Sequence, residues 1–160
     1  MLDNNYMLDN DPINGKLGEI YATINGERHK IINVKNIEIS IEKKKEEINC
    51  LGRIMVGHKA YASVGTGKAT LYYGGRIFRD QLEKFCATGE DAFFEMQITN
   101  DDNTSTLGRQ TLVLTGVNID GGLLSKMDQD AGALEEDISF TFTGFKYPEK
   151  FTNFGGSYNG

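Results

Sequence analysis

Apolar and polar residues alternate along most of the chain. Four segments carry an apolar side chain at every second position. Because successive side chains of a strand point to opposite faces, each segment is predicted to be a strand with one buried and one solvated face. After the first segment, Asn25 and Gly26 predict a hairpin turn, since both residues tolerate a positive φ. The apolar positions are Ile20, Ala22 and Ile24; Ile37, Ile39 and Ile41; Phe94, Met96 and Ile98; and Ile138, Phe140 and Phe142.

Two further segments predict strands with local irregularities. Residues 109–120 change phase at Gly116, which indicates a bulge or a sharp bend in a long strand. Residues 64–73 form another strand candidate, with glycines at its start. The phase change separates Leu112 and Leu114 from Val117 and Ile119.

One segment has helical spacing. Residues 76–88 place Phe78, Leu82, Phe85 and Cys86 on one face, and Gly89 is suited to the position after the last helical turn. Strands around a single helix predict a mainly β fold. We expect an antiparallel β-barrel or sandwich with one α-helix over about 76–88.

Residues 46–63 fit neither the two-residue period of a strand nor the spacing of a helix, and they are predicted to be a long loop. A connection of about eighteen residues exceeds the usual ~12–15, yet this one is rich in apolar side chains. Two alternatives follow: the loop packs on its own core, or it packs on another chain. The second alternative makes it an inter-subunit loop with predicted contact residues Ile48, Leu51, Ile54, Met55, Val56 and Tyr61.

Length and charge narrow the class of protein. The 160 residues fit one domain, for which we predict the bounds 13–150, a flexible arm over 1–12 and a flexible Gly-rich tail over 151–160. The net charge of −6 disfavours binding to nucleic acid phosphates. No apolar run is long enough for a membrane span, and the polar N-terminus does not resemble a signal peptide.

Cys50 and Cys86 are predicted to be reduced thiols in a chain made in a cytoplasm.

Motifs that would carry catalysis, a metal or a cofactor are incomplete. Gly65-Thr66-Gly67-Lys68 resembles part of a phosphate loop, but Ala69 follows the lysine and the next residues predict a strand. His29 and His58 have no partners at metal-ligand spacing. The segment that starts at Asp128 resembles the start of a calcium loop, but Ala133 and Ser139 occupy the positions of its glycine and its final acid. The surrounding acidic stretch 120–137 is either a solvated loop or a contact for a basic patch on a partner. We therefore predict no enzyme, no metal site and no cofactor.

Several stretches resemble the XkdM-like tail tube proteins of contractile-tailed phages and phage-derived particles. They are residues 13–27 (INGKLGEIYATINGE), 36–47, 51–59 (LGRIMVGHK), 65–73, 108–120 (GRQTLVLTGVNID) and 128–142. The resemblance implies a fold similar to type VI secretion tube subunits, with six copies in a ring and rings stacked into a hollow tube inside a contractile sheath. It also assigns the long loop and the N-terminal arm to contacts between subunits and rings.

The same resemblance implies the chain's partners and its location. Copies of itself, sheath, tape-measure and baseplate proteins would be the partners, DNA would be only passing cargo, and no membrane is involved. The protein would be made in the cytoplasm of a bacterial host and assembled into the tail of a virion or a headless bacteriocin-like particle. A small β-barrel module that binds sugar or peptide is the alternative function.

A tube also needs residues that face its lumen. The solvated faces of two predicted strands can supply them, and we predict an electronegative or neutral lumen to which DNA does not adhere. Periodicity does not determine which strands point inward. The candidate lumen residues are Glu38, Ser40, Glu42, Asp137, Ser139 and Thr141.

Overall fold

The computed structural model describes residues 7, 9, 10, 12–130 and 132–152. Within these residues the chain forms eight strands and one helix. In chain order they are β1 (Gly18–Ile24), β2 (Glu27–Lys30), β3 (Val34–Ile48), β4 (Gly57–Tyr72), α1 (Ile77–Thr88), β5 (Phe94–Asp101), β6 (Arg109–Gly121), β7 (Glu135–Phe142) and β8 (Gly144–Glu149). Hydrogen bonds order the strands β2-β1-β5-β6-β7-β4-β3, and β8 pairs with β6. The mainly β, antiparallel fold with one helix is confirmed.

The chain divides into two compact units. The first draws on Met1–Ile32, Phe94–Thr115 and Phe145–Gly160. In it, β1 pairs with β2 and with β5, both antiparallel. The turn between β1 and β2 is the predicted one, because Asn25 and Gly26 have φ of 52° and 80°. Its buried residues include the predicted alternating apolar positions of β1 and β5.

The second unit contains Asn33–Phe93 and Gly116–Gly144. Here β4 lies between β3 and β7, and β7 also pairs with β6, all antiparallel. The buried face of β7 carries Ile138, Phe140 and Phe142, as the alternation predicts. Beside two of these side chains β4 has glycines: Gly65 lies opposite Phe142 and Gly67 opposite Phe140. The Gly65–Lys68 motif is thus in the middle of a strand and not at a helix N-terminus.

The phase change in β6 is also confirmed. Gly116 has a φ of 65°, in the left-handed region that favours glycine. A Cβ at this position would come within 2.1 Å of the Thr143 hydroxyl oxygen. In a regular strand, residues three positions apart point to opposite faces. Because the phase shifts at Gly116, Leu114 and Val117 are both completely buried.

Helix α1 begins one residue later than predicted and ends as predicted. Gly89 adopts the left-handed conformation with φ 76°, and its N–H donates to the Phe85 carbonyl at 2.8 Å. No residue of α1 is buried, and Phe85 and Cys86 on the predicted apolar face are exposed. Its apolar spacing therefore marks a face that stays partly accessible in the isolated chain.

The prediction of a loop over residues 46–63 was wrong at both ends. β3 continues to Ile48 and β4 begins at Gly57, so only residues 49–56 connect strands. The pairing runs from Val34 opposite Leu71 to Ile48 opposite Gly57, with irregularities after Val34 and after Lys44. The alternation is lost because neither side of this part of the hairpin is buried, so no apolar stripe is required of it.

The predicted single domain over 13–150 stays a prediction. The predicted arm over 1–12 and the tail over 151–160 lie mostly outside the described residues. At the edge of the tail, the Thr152 N–H donates to the Leu107 carbonyl at 2.8 Å.

Candidate assembly surfaces

The long hairpin of β3 and β4 has a two-stranded extension. β4 pairs with β7 only from Gly65 onward, and residues 43–63, which we call the hairpin arm, pair only with each other among the described residues. An isolated two-stranded hairpin is marginally stable in water. The arm is therefore a candidate for stabilisation by another surface.

Apolar side chains cover the end of the hairpin arm. All six predicted contact residues are exposed in the isolated chain, with Leu51 and Ile54 fully accessible and Met55 79% exposed. Of the two alternatives, packing on the chain's own core is wrong. The six are Ile48, Leu51, Ile54, Met55, Val56 and Tyr61.

The charges between Ile48 and Lys59 are of one sign, whereas Glu46 lies opposite Lys59 and Glu47 lies opposite His58 in the ladder. Residues 48–59, which we call the hairpin tip, carry Arg53, His58 and Lys59 and no acid. None of the three forms an ion pair within the described chain. The Arg53 guanidinium folds back over Gly57, where a Cβ would meet its Nη1 at 3.0 Å. The tip thus combines exposed apolar groups with basic ones.

The structure brings the six candidate lumen residues onto one sheet face, which we call the polar face. Directly opposed residues of neighbouring strands point to the same side. Glu38 lies opposite Lys68, which lies opposite Ser139, and Ser40 lies opposite Thr66, which lies opposite Thr141. Glu42 and Asp137 fall on the same face by alternation along β3 and β7. Whether this face lines a lumen stays a prediction.

The polar face also carries bases, of which sequence reasoning missed Lys68. Lys68 stands between Glu38 and Ser139, and its Nζ lies 3.6 Å from the Glu38 carboxylate. Lys44 lies 3.5 Å from Glu42. Alternation along β4 places Lys68 on this face only once the partners of β4 are known, and the sequence does not give them. The face is closer to charge balance than its acids alone indicated.

Arg79 of α1 connects the helix to the second unit's sheet. Its guanidinium donates to the Gly75 carbonyl at 2.7 Å, to the Leu123 carbonyl at 3.0 Å and to the Glu136 carboxylate. It also stacks 4.8 Å from the centre of the Tyr73 ring. Since the side chains of α1 are at most partly buried, these contacts contribute to the attachment of the helix.

Glu136 is the acid of this attachment, and sequence reasoning also missed it. It occupies the buried face of β7 in the same alternation as Ile138 and Phe140. Burial raises the pKa of the Glu136 carboxyl, and the Arg79 guanidinium acts in the opposite direction. The sequence did contain a signal for it, since an acid at a position where the alternation of β7 calls for an apolar side chain needs a buried partner.

The described residues hold no cluster of three or more His, Cys, Asp or Glu side chains that could bind a metal ion. In the same part of the chain, no helix is long and apolar enough to cross a membrane. Cys50 at the hairpin tip and Cys86 on α1 are free and exposed thiols.

Comparison with known proteins agrees with an assembling subunit. The phage tail tube protein family matches residues 5–149. The chain belongs to this family. A curated relative is the phage-like element PBSX protein XkdM of Bacillus subtilis (strain 168), 36% identical over 141 residues, which are 88% of this chain and 93% of the relative. The resemblance to XkdM-like tail tube proteins is confirmed.

Solved structures share the tail tube fold at low sequence identity. One belongs to the sheath/tube terminator, in the extended state, of PVC, an extracellular contractile injection system. Its TM-score is 0.64 at 11% identity, and the match covers 89% of this chain and 100% of the other chain. Another is the SPP1 tail tube, with a TM-score of 0.61 and 13% identity over 85% of this chain and 78% of the other. The tail tube family is structural, so the prediction that the chain is not an enzyme is confirmed.

Proposed function

We propose that this tail tube protein forms rings of six copies that stack into a hollow tube inside a contractile sheath. Family membership and the shared tube-protein fold support this assignment. The tube is a passive conduit for DNA or a membrane-puncturing rod, and DNA is only its cargo. Its other partners are the sheath, tape-measure and baseplate proteins of the particle. Family membership favours this function over a module that binds sugar or peptide.

The observation that carries the proposal is the uncovered hairpin arm. Leu51, Ile54 and Met55 expose most of their surface in the isolated chain. Burial of each such side chain in an interface contributes roughly 1.5–3 kcal/mol. A soluble chain that presents three of them at the end of a two-stranded hairpin is suited to assembly with further copies.

The polar face is our candidate for the lumen wall. It is hydrophilic, and its charges occur in near neighbours of opposite sign, Glu38 with Lys68 and Glu42 with Lys44. Such a surface offers no extended positive potential to hold phosphates. We propose that the protein is made in the cytoplasm of a bacterial host before it enters a phage or phage-like tail.

Electron microscopy of concentrated protein tests the assembly. We expect rings or tubes from the unaltered chain, and folded monomers from a variant with Ile54→Ser and Met55→Ser. The matched control is Ile32→Ser, because Ile32 is 83% exposed but lies outside the arm. Tubes of normal length from the double variant would show that assembly does not depend on the arm. An unaltered chain that stays monomeric at high concentration would contradict the function itself.

A further inference from the structure

The hairpin tip has a complementary surface at the other end of β4. β4 begins at Gly57 in the tip and ends at Tyr72, which lies opposite Glu135. Just beyond Tyr72, the Tyr73 hydroxyl accepts the Lys126 N–H at 3.4 Å. Residues 122–130, which we call the far-end loop, are thereby held at the end of β4 that is remote from the tip.

The two surfaces are too far apart to meet within one chain. β4 has 16 residues, and a strand rises about 3.3 Å per residue, so its length is about 50 Å. A contact between tip and far-end loop therefore requires two copies. Such a contact is head-to-tail, since it uses different surfaces on the two partners, and it extends in one direction from copy to copy.

The far-end loop combines exposed apolar groups with acids. Leu124 is 75% exposed and Met127 is 93% exposed. Asp128 and Asp130 are exposed beside them, and neither forms an ion pair within the described residues. The one base, Lys126, directs its Nζ to the Glu135 carbonyl at 3.0 Å. The loop thus carries exposed acids where the tip carries exposed bases, and like the tip it exposes large apolar side chains.

The loop is also held in place before any partner arrives. Its Leu123 carbonyl accepts a hydrogen bond from Arg79 at 3.0 Å, and Gly122 packs close to Leu82, where a Cβ would be 3.0 Å from the Leu82 Cδ1. The Asp130 N–H donates to the Asp128 carboxylate at 3.0 Å. A surface ordered in advance loses less conformational freedom on binding than a mobile one does.

We propose that the hairpin tip of one copy docks on the far-end loop of the next copy. Leu51, Ile54 and Met55 cover Leu124 and Met127, while Arg53 and Lys59 face Asp128 and Asp130. This docking rests on the proposed tube function and identifies the surface that receives the arm. Apolar contact supplies the burial, and the opposite charges select the orientation of the partner.

Charge reversal tests the pairing of the two surfaces. One variant carries Arg53→Glu and Lys59→Glu, a second carries Asp128→Lys and Asp130→Lys, and a third combines all four changes. Each of the first two places like charges together and is expected to raise the protein concentration needed for tubes by about tenfold or more. The third restores opposite charges and is expected to return assembly towards that of the unaltered chain. Thermal unfolding of the monomers is the folding control.

Cross-linking tests the same contact without charge changes. The tip contains Cys50, so Met127→Cys in a Cys86→Ser background supplies its partner thiol. Mild oxidation of the tubes is expected to give a ladder of covalent multimers on a non-reducing gel. The matched control is Lys146→Cys in the same background, because Lys146 is exposed on β8 and is expected to give no ladder.

The outcomes separate this docking from the function on which it rests. If the unaltered chain forms no tubes, the tube function fails. If it forms tubes while the Asp128 and Asp130 changes leave them intact, the receiving surface is not the far-end loop. The docking is equally overturned if the four-fold variant stays as defective as the two-fold variants, or if the Met127→Cys tubes give no more cross-linking than the Lys146→Cys control.

Discussion

Gly67 of β4 lies directly beneath the ring of Phe140 of β7. A Cβ at Gly67 would come within 2.3 Å of the Phe140 Cζ, and a Cβ at Gly65 within 2.4 Å of the Phe142 ring. The two aromatic rings thus occupy space that the side chains of β4 leave free. This relationship explains a glycine motif that, in the sequence alone, invited comparison with a phosphate loop.

Replacement of this glycine is expected to disrupt the second unit. Gly67→Ala forces Phe140 from its position and is expected to lower the free energy of unfolding by about 1–3 kcal/mol. Chemical denaturation measures the change. The matched control is Gly121→Ala on β6, where an added Cβ meets no atom within 4 Å. A Gly67→Ala variant as stable as this control would contradict the packing.

The Arg79–Glu136 pair is expected to be sensitive to the loss of one partner. Arg79→Met leaves Glu136 buried without its counter-charge, which typically costs about 3–5 kcal/mol of stability. The control on the same helix is Arg76→Met, because Arg76 pairs with Asp80 in an exposed position and such pairs contribute about 0–1 kcal/mol. Restoration of stability by Glu136→Leu in the Arg79→Met background would agree with burial as the cause. Equal effects of the two arginine changes would contradict it.

Asp102 is expected to make the first unit sensitive to acid. Its carboxylate accepts hydrogen bonds from the Thr104 hydroxyl at 2.6 Å, the Asn14 N–H at 2.8 Å and the Thr104 N–H at 2.9 Å. These bonds lower the pKa of Asp102 in the folded state. A lowered folded pKa stabilises the protein above the ordinary pKa of the group, and that stabilisation is lost as the pH falls towards the folded value.

Asp102→Asn is therefore expected to destabilise the chain at neutral pH and to have less effect in acid. Thermal unfolding from pH 7 to pH 2 measures the difference from the unaltered chain. Asp101→Asn is the neighbouring control, since Asp101 is exposed. A difference that stays constant over this pH range would show that the carboxylate charge is not what the hydrogen bonds favour.

The polar face is expected not to retain DNA. It carries Glu38, Glu42, Glu135 and Asp137 against Lys44 and Lys68, so duplex DNA should not sediment with the tubes at either ~10 mM or ~150 mM salt. Glu38→Lys with Glu42→Lys raises the net charge of this face by four and should produce binding at low salt that added salt abolishes. The control is Glu83→Lys with Glu90→Lys, the same charge change at exposed positions on and beside α1. Equal DNA binding by both variants would show that the polar face does not line the lumen.

Properties that depend on near neighbours along the chain were predictable from the sequence. The alternation of Ile20, Ala22 and Ile24 predicted β1, and the conformational preferences of Asn25 and Gly26 predicted its turn. Gly89 correctly marked the end of α1, and Gly116 the phase change in β6. Each of these signals is a local period or a local φ preference, so a single sequence contains it.

Other features depend on which strands become neighbours. The hairpin arm has no buried face, so its residues show no alternation, and only the pairing of β3 with β4 revealed it. Lys68 joined the polar face because β4 lies between β3 and β7, and Arg79 met Glu136 across 57 positions of the chain. Tertiary structure alone decided these features, because the partners that define them are distant in sequence and become neighbours only when the sheet and the helix assemble.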